Sequence, residues 1–161
     1  MFDGAHIHLL TNHIPILGPL FVLPLLIAGV VKKNRSITIA ALVMAVAVAV
    51  ATIPAFVTGE EAEEAVEGIM GVSEVNIEEH EEEAEIAYYA MLMAGAVALG
   101  ALLSSTGGRS VSPVLSWLTT GILVATFILM ARTGNSGGKI RHTELDRTVS
   151  AAPAQGQDND D

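Results

Sequence analysis

Five histidines and a run of glutamates are the residues in this chain best suited to chemistry. His6, His8 and His13 lie close together near the start. His80 sits inside Glu78-Glu79-His80-Glu81-Glu82-Glu83, and His142 comes late, two residues before Glu144. The stretch from Thr58 to Tyr89 holds twelve of the eighteen acidic residues and no Lys or Arg. Neutral imidazole is a ligand for zinc, copper and haem iron, and nearby carboxylates orient such rings. The candidate cofactor ligands are therefore His8, His13, His80 and His142. For a bare metal ion the set is His13, His80, His142, Glu83 and Glu144. A haem in a helical bundle takes axial histidines from facing helices. His13, at the mouth of the first apolar run, and His80, ahead of the third, are placed for that role. Haem b or a transition metal in a redox or respiratory setting is the expected cofactor.

Blander readings compete with this one. A histidine at a membrane boundary is often only an amphipathic residue suited to that depth, and a glutamate run is usually a solvated face. The bland reading is favoured for any one histidine, and most of all for His6; it loses ground when several share one end. The di-iron Glu-x-x-His pattern is absent, because Ile77 stands three residues before His80. The zinc-protease pattern HExxH is absent as well. No reaction is named by the sequence. The alternative to a cofactor site is a non-catalytic accessory or structural subunit whose acidic segment docks a partner in a membrane complex.

What must position these residues is a set of membrane spans. Hydrophobic residues make up 51% of the 161 positions and charged residues only 16%. A soluble domain carries about a quarter charged residues. The deficit falls in four apolar runs, Ile14–Val31, Ile37–Val57, Ile86–Leu103 and Val114–Ala131. Roughly 18 to 21 helical residues cross a hydrocarbon core. The expected fold is therefore all-α, an integral membrane four-helix bundle occupying residues 1–147, with 148–161 a disordered acidic tail. An even number of spans brings all five histidines to one side. The basic turn Lys32-Lys33-Asn34-Arg35 and a start without Lys or Arg predict that both termini, and the acidic segment, lie outside. The first twelve residues lack the basic start of a cleavable signal. Cysteine is absent, so disulfides, thiolate metal sites and c-type haem attachment are excluded. The formal net charge of −10 speaks against nucleic acid as a partner. No run carries an ionisable residue in its interior, which disfavours an ion-coupled transporter.

Finer features follow. Ala41, Ala45 and Ala49, and again Ala90, Ala94 and Ala98, form small-residue stripes that let helices approach closely. Asn12 is placed to cap the first span. Thr58 with Glu61 fits a capping box, predicting a surface helix over residues 60–70 with Ala62, Val66, Ile69 and Met70 on its apolar face. One helix is expected to run from Glu74 into the third span, with Ile77, His80, Ala84, Ala87, Tyr88 and Met91 on its packed face. A parallel internal repeat is suggested by His13 before span one with Thr58-Gly59 after span two, matched by His80 before span three with Thr133-Gly134 after span four.

The stretch His8–Ile16, HLLTNHIPI, resembles the H-x4-H-x-P-I opening of small bacterial four-helix membrane proteins classed as a domain of unknown function, family 2231. Gly137-Gly138 followed by a short polar stretch is similar to that family's ending. TGEEAEEAVE, GVSEVNIEEHEEEA and TGNSGGKIRHTEL resemble a subgroup of such proteins, and the likeness covers roughly Ala5 to Glu144. The chain departs in reading IRHTEL where the family more often has an apolar, tyrosine-containing stretch. The resemblance implies a bacterial origin, a four-helix fold and its topology, and it implies no activity.

Overall fold

The computed structural model describes residues 4–66, 72–106 and 109–141. Six helices follow in order: α1 (Gly4–Thr11), α2 (His13–Val31), α3 (Arg35–Val57), α4 (Gly59–Glu64), α5 (Glu74–Ser104) and α6 (Pro113–Arg141). No strand occurs among the described residues. Four stretches are long and apolar enough to cross a membrane: Gly4–Val31, Arg35–Val57, Glu74–Ser104 and Pro113–Ile140. Each contains one of the apolar runs, and α5 and α6 extend well past theirs. His142, Glu144, Ile69, Met70 and the tail 148–161 lie outside the described residues.

The break between α1 and α2 has a local cause. Pro15 has no N–H to give the carbonyl of Thr11, and its ring crowds that carbonyl. Asn12 is not the expected cap. It keeps helical torsions (φ −60°, ψ −23°), makes no capping bond, and its Oδ1 is buried without a partner among the described residues. At the other end of α2, Lys33 at φ 51° closes the turn, with the Asn34 N–H donating to the Gly29 carbonyl at 2.8 Å and the Lys33 N–H to that of Val30 at 3.1 Å. This is a helix stop that usually uses glycine.

The core lies where α2, α3, α5 and α6 meet. Val22 and Leu26 face Ala41, Leu42, Ala45 and Ala49 of α3, together with Met91, Ala94 and Ala98 of α5 and Leu123 of α6. Both alanine stripes thus lie largely inside. The buried hydroxyls of Ser116, Thr119, Thr120, Thr126 and Thr133 each donate to the carbonyl four residues earlier, so none is left unpaired.

Burial reveals a repeat in a register different from the expected one. Gly4, Pro15, Pro19, Val22, Leu26 and Gly29 are buried, and so are Asn76, Ala87, Met91, Ala94, Ala98 and Ala101, each 72 residues later. In the second helix of each hairpin, Thr38, Ala41, Leu42, Ala45, Thr52 and Ala55 match Ser116, Thr119, Thr120, Leu123, Met130 and Thr133, each 78 residues later. The six extra residues fall in the second hairpin's turn. Caps repeat too: Asn34 Oδ1 accepts the Ile37 N–H at 3.1 Å, and Ser112 Oγ accepts the Leu115 N–H at 3.4 Å. α3 packs on α5 and α2 on α6, the contacts expected of two hairpins about a pseudo-two-fold axis. The histidine matching His80 is therefore His8 rather than His13, and Gly59 pairs with Gly137 rather than with Gly134.

Candidate functional site

The ends of α3 and α6 meet α1, α4 and the start of α5 at one end of the molecule. His8 and His80 belong to this end and to equivalent positions of the two hairpins. His8 Nδ1 lies 2.8 Å from the carbonyl oxygen of Ala55 on α3. His80 Nδ1 lies 3.0 Å from the carbonyl oxygen of Thr133 on α6 and 3.2 Å from Ser136 Oγ. A carbonyl oxygen only accepts, so in each bond Nδ1 carries the proton, and in the neutral ring Nε2 keeps its lone pair. This is the ring state of a metal-ligating histidine, whose other nitrogen donates to a carbonyl or carboxylate. The charges of His8 and Glu83 both act on His80, in opposite directions. No hydrogen bond to either Nε2 occurs among the described residues.

Glycines make room for the rings. Gly137, four residues after Thr133, packs on His80 so closely that a Cβ there would lie 2.9 Å from its Cε1. Gly59, four residues after Ala55, stands at the same place beside His8, where a Cβ would be in ordinary contact with the ring at 3.9 Å. Below the histidines, Phe56 of α3 stacks on Tyr88 of α5 with ring centroids 4.1 Å apart. Sequence reasoning missed Ala55, Ser136 and Phe56 as neighbours of the site.

The other candidates lie elsewhere. His13 is exposed and lines an outward groove of about 270 Å³ with Ile14, Leu17, Gly18 and Phe21. Its equivalent in the second hairpin, Glu85, is exposed as well. His6 is exposed on α1. Glu83 forms an ion pair with Arg132 at 2.9 Å, and Glu79 one with Lys139 at 3.3 Å, fastening α5 to α6. No group of three or more His, Asp or Glu side chains that could hold a metal ion occurs among the described residues. His8 and His80 occupy equivalent positions at one end of the two hairpins, whereas His13 lies on an outward face.

The capping box does not form. Thr58 Oγ1 donates back to the Pro54 carbonyl at 2.7 Å, and Glu61 Oε2 instead accepts the Gly4 N–H at 2.8 Å, tying α4 to α1. The surface helix is correspondingly short. It ends at Glu64 and turns at Ala65 and Val66, with Ala62 and Val66 half-buried. On α5 the expected face is observed. Ile77, His80, Ala84 and Tyr88 are half-buried, Ala87 and Met91 are buried, and Glu78, Glu79, Glu81 and Glu82 are exposed.

Glu63 of α4 has its carboxyl pushed above the usual range, first by burial and then by the charges of Glu81 and Glu60. Because the folded form holds its proton more tightly than the unfolded one, ionised Glu63 costs stability above its folded pKa. That cost fades as pH falls toward the ordinary carboxylate range. Glu63→Gln is therefore expected to raise the melting temperature at neutral pH and to have no effect in acid. A melt of both proteins across that range checks this, and an equal shift at every pH would contradict it.

No protein-family model, curated protein or solved structure matches the chain. The described residues define an all-helical protein with four helices long and apolar enough to cross a membrane.

Proposed function

We propose that this is a multi-pass membrane protein of the bacterial inner membrane, with both termini outside, that holds haem b or a transition metal between His8 and His80 in a redox setting. The observation that carries the reading is the pair itself. Two imidazoles at equivalent positions of two hairpins each have Nδ1 held by a main-chain carbonyl of the neighbouring helix and Nε2 left as a lone-pair donor. Two nitrogen donors, with no third among the described residues, would suit a haem iron or a metal of low coordination number better than tetrahedral zinc. Such a group supplies one-electron chemistry when bound. The chain's part is to fix both rings, leave room for His80 at Gly137, and stiffen the platform with the Phe56–Tyr88 stack. The likeness of HLLTNHIPI to family 2231 supports the bacterial origin and topology.

Orientation rests on the basic turn at Lys32–Arg35 beside the acid-rich opposite end. The chain has no cysteine, so single thiols at exposed Ser36 and exposed Glu64 report the two ends. An impermeant thiol reagent on intact cells is expected to label Glu64→Cys and not Ser36→Cys; the reverse pattern overturns the orientation. The cofactor reading is tested on protein purified in detergent from its native host, by absorption spectrum and metal analysis. A Soret band or a stoichiometric metal is expected. With neither, the accessory-subunit reading takes its place.

A further inference from the structure

We infer that the groove between α5 and α6 at the histidine-bearing end is a binding site for one zwitterionic phospholipid with a primary-amine headgroup. The inference rests on the membrane-spanning part of the reading above and not on the cofactor. The groove has a volume of about 490 Å³, and Glu79, Glu83, Arg132 and Asn135 line its upper part while Phe127 and Ile128 line its lower part. Arg132 directly follows the apolar run of α6, and Glu83 precedes that of α5 by three residues. The groove therefore crosses from headgroup level into acyl-chain level.

The charges are not demanded by the scaffold. In the first hairpin, the positions equivalent to Glu79, Glu83, Arg132 and Asn135 are Ile7, Thr11, Pro54 and Val57, and none is charged. Two hairpins with the same burial register thus differ on this face. The second alone carries a cation, two carboxylates and an amide above an apolar slot.

The chemistry matches both ends of such a headgroup. Arg132 donates its Nε–H to Glu83 at 3.1 Å, with Nη2 in ion-pair contact at 2.9 Å, and its side chain stays 67% exposed. A guanidinium has five N–H donors, so others remain for a phosphate oxygen, and the exposed Asn135 amide can add another. Glu79 is 45% exposed and held by Lys139 only at 3.3 Å. A carboxylate there accepts N–H from a primary ammonium, whereas a quaternary ammonium has none to give. Phe127 and Ile128 lie below for the acyl chain. With Lys139 on Glu79 and Arg132 on Glu83 the four charges cancel, which suits a zwitterionic headgroup better than an anionic one and separates this site from a purely basic one.

The test is lipid retention by the full chain in detergent, read by native mass spectrometry after addition of phosphatidylethanolamine, phosphatidylglycerol or phosphatidylcholine. One phosphatidylethanolamine per chain is expected, with a preference of about tenfold over each of the others, as one charge-assisted hydrogen bond would give. Arg132→Gln and Asn135→Ala should each reduce retention, and Glu79→Gln should abolish the preference over phosphatidylcholine. Val57→Ala, at the equivalent place in the first hairpin, should change nothing. Melting curves show whether Arg132→Gln still folds, and Asn135→Ala, which breaks no ion pair, keeps the test decisive if it does not. Equal retention of the three lipids, a preference for phosphatidylglycerol, or retention unchanged in Asn135→Ala and Glu79→Gln overturns the proposal. Failure of the membrane reading is distinct, because the protein would then leave the membrane fraction without detergent.

Discussion

His8→Ala and His80→Ala are each expected to empty the cofactor site, and to do so equally. In a site with two protein ligands at equivalent positions, neither ring can substitute for the other, so the two variants should match in cofactor content per chain. A change in a group that only orients a ligand costs about 10- to 100-fold in affinity, and Gly137→Ala belongs to that class. Its new Cβ would lie 2.9 Å from His80 Cε1 and 3.2 Å from Nδ1, so the ring must leave the Thr133 carbonyl. His13→Ala is expected to leave the cofactor in place, since that side chain faces outward. The measurement is Soret absorbance or metal per chain, with a thermal melt to show that each variant is folded. Loss in His13→Ala with retention in His8→Ala would sink the pairing and restore His13 as the partner of His80.

Hydropathy is a local property, and four apolar runs of helical length allow few other folds. The four long helices were therefore legible in the sequence, as was the packed face of α5, where the 3.6-residue period places Ile77, His80, Ala84 and Met91 together. That His8 and His13 could not share one inward face was also within reach, though not which of them faces in. Five residues on one helix turn about 140°, so the two could not both face inward across so slight a break at Asn12. The deciding signal was the repeat register, and sequence hides it because matched core positions differ in residue type: Pro19 against Met91, Ala41 against Thr119, Gly29 against Ala101. Only burial shows them as equivalent. Glu61 was illegible for another reason. Its partner, the Gly4 N–H, is 57 residues away, and no local motif competes visibly with the capping box it abandons.

Gly95→Leu is expected to be strongly destabilising in the apolar part of the bundle. Gly95 is buried where α5 crosses α3, and a Cβ built on it would overlap the Cβ of Ala49 and come 4.0 Å from the Ala45 carbonyl oxygen. Close approach of small residues is what holds helices together in lipid, where the hydrophobic effect supplies little. A leucine must push the two helices apart or leave its rotamer, and overpacking of this kind costs about 1–3 kcal/mol. For a chain of this size that corresponds to a fall of roughly 2–10 °C in melting temperature. Gly100→Leu and Gly121→Leu, where a Cβ would meet nothing within 4 Å, should melt near wild type. Ala49→Gly added to Gly95→Ala should recover part of the loss, because the two sites share one contact. The site should feel the same change. α3 supplies the Ala55 carbonyl to His8 and α5 carries His80, so forcing these helices apart separates the rings, and Gly95→Leu should lower cofactor content although it lies four turns below His80. Melting curves and cofactor content for the five proteins check this. A Gly95→Leu protein that melts with Gly100→Leu would show that α3 and α5 are not in close contact at this crossing.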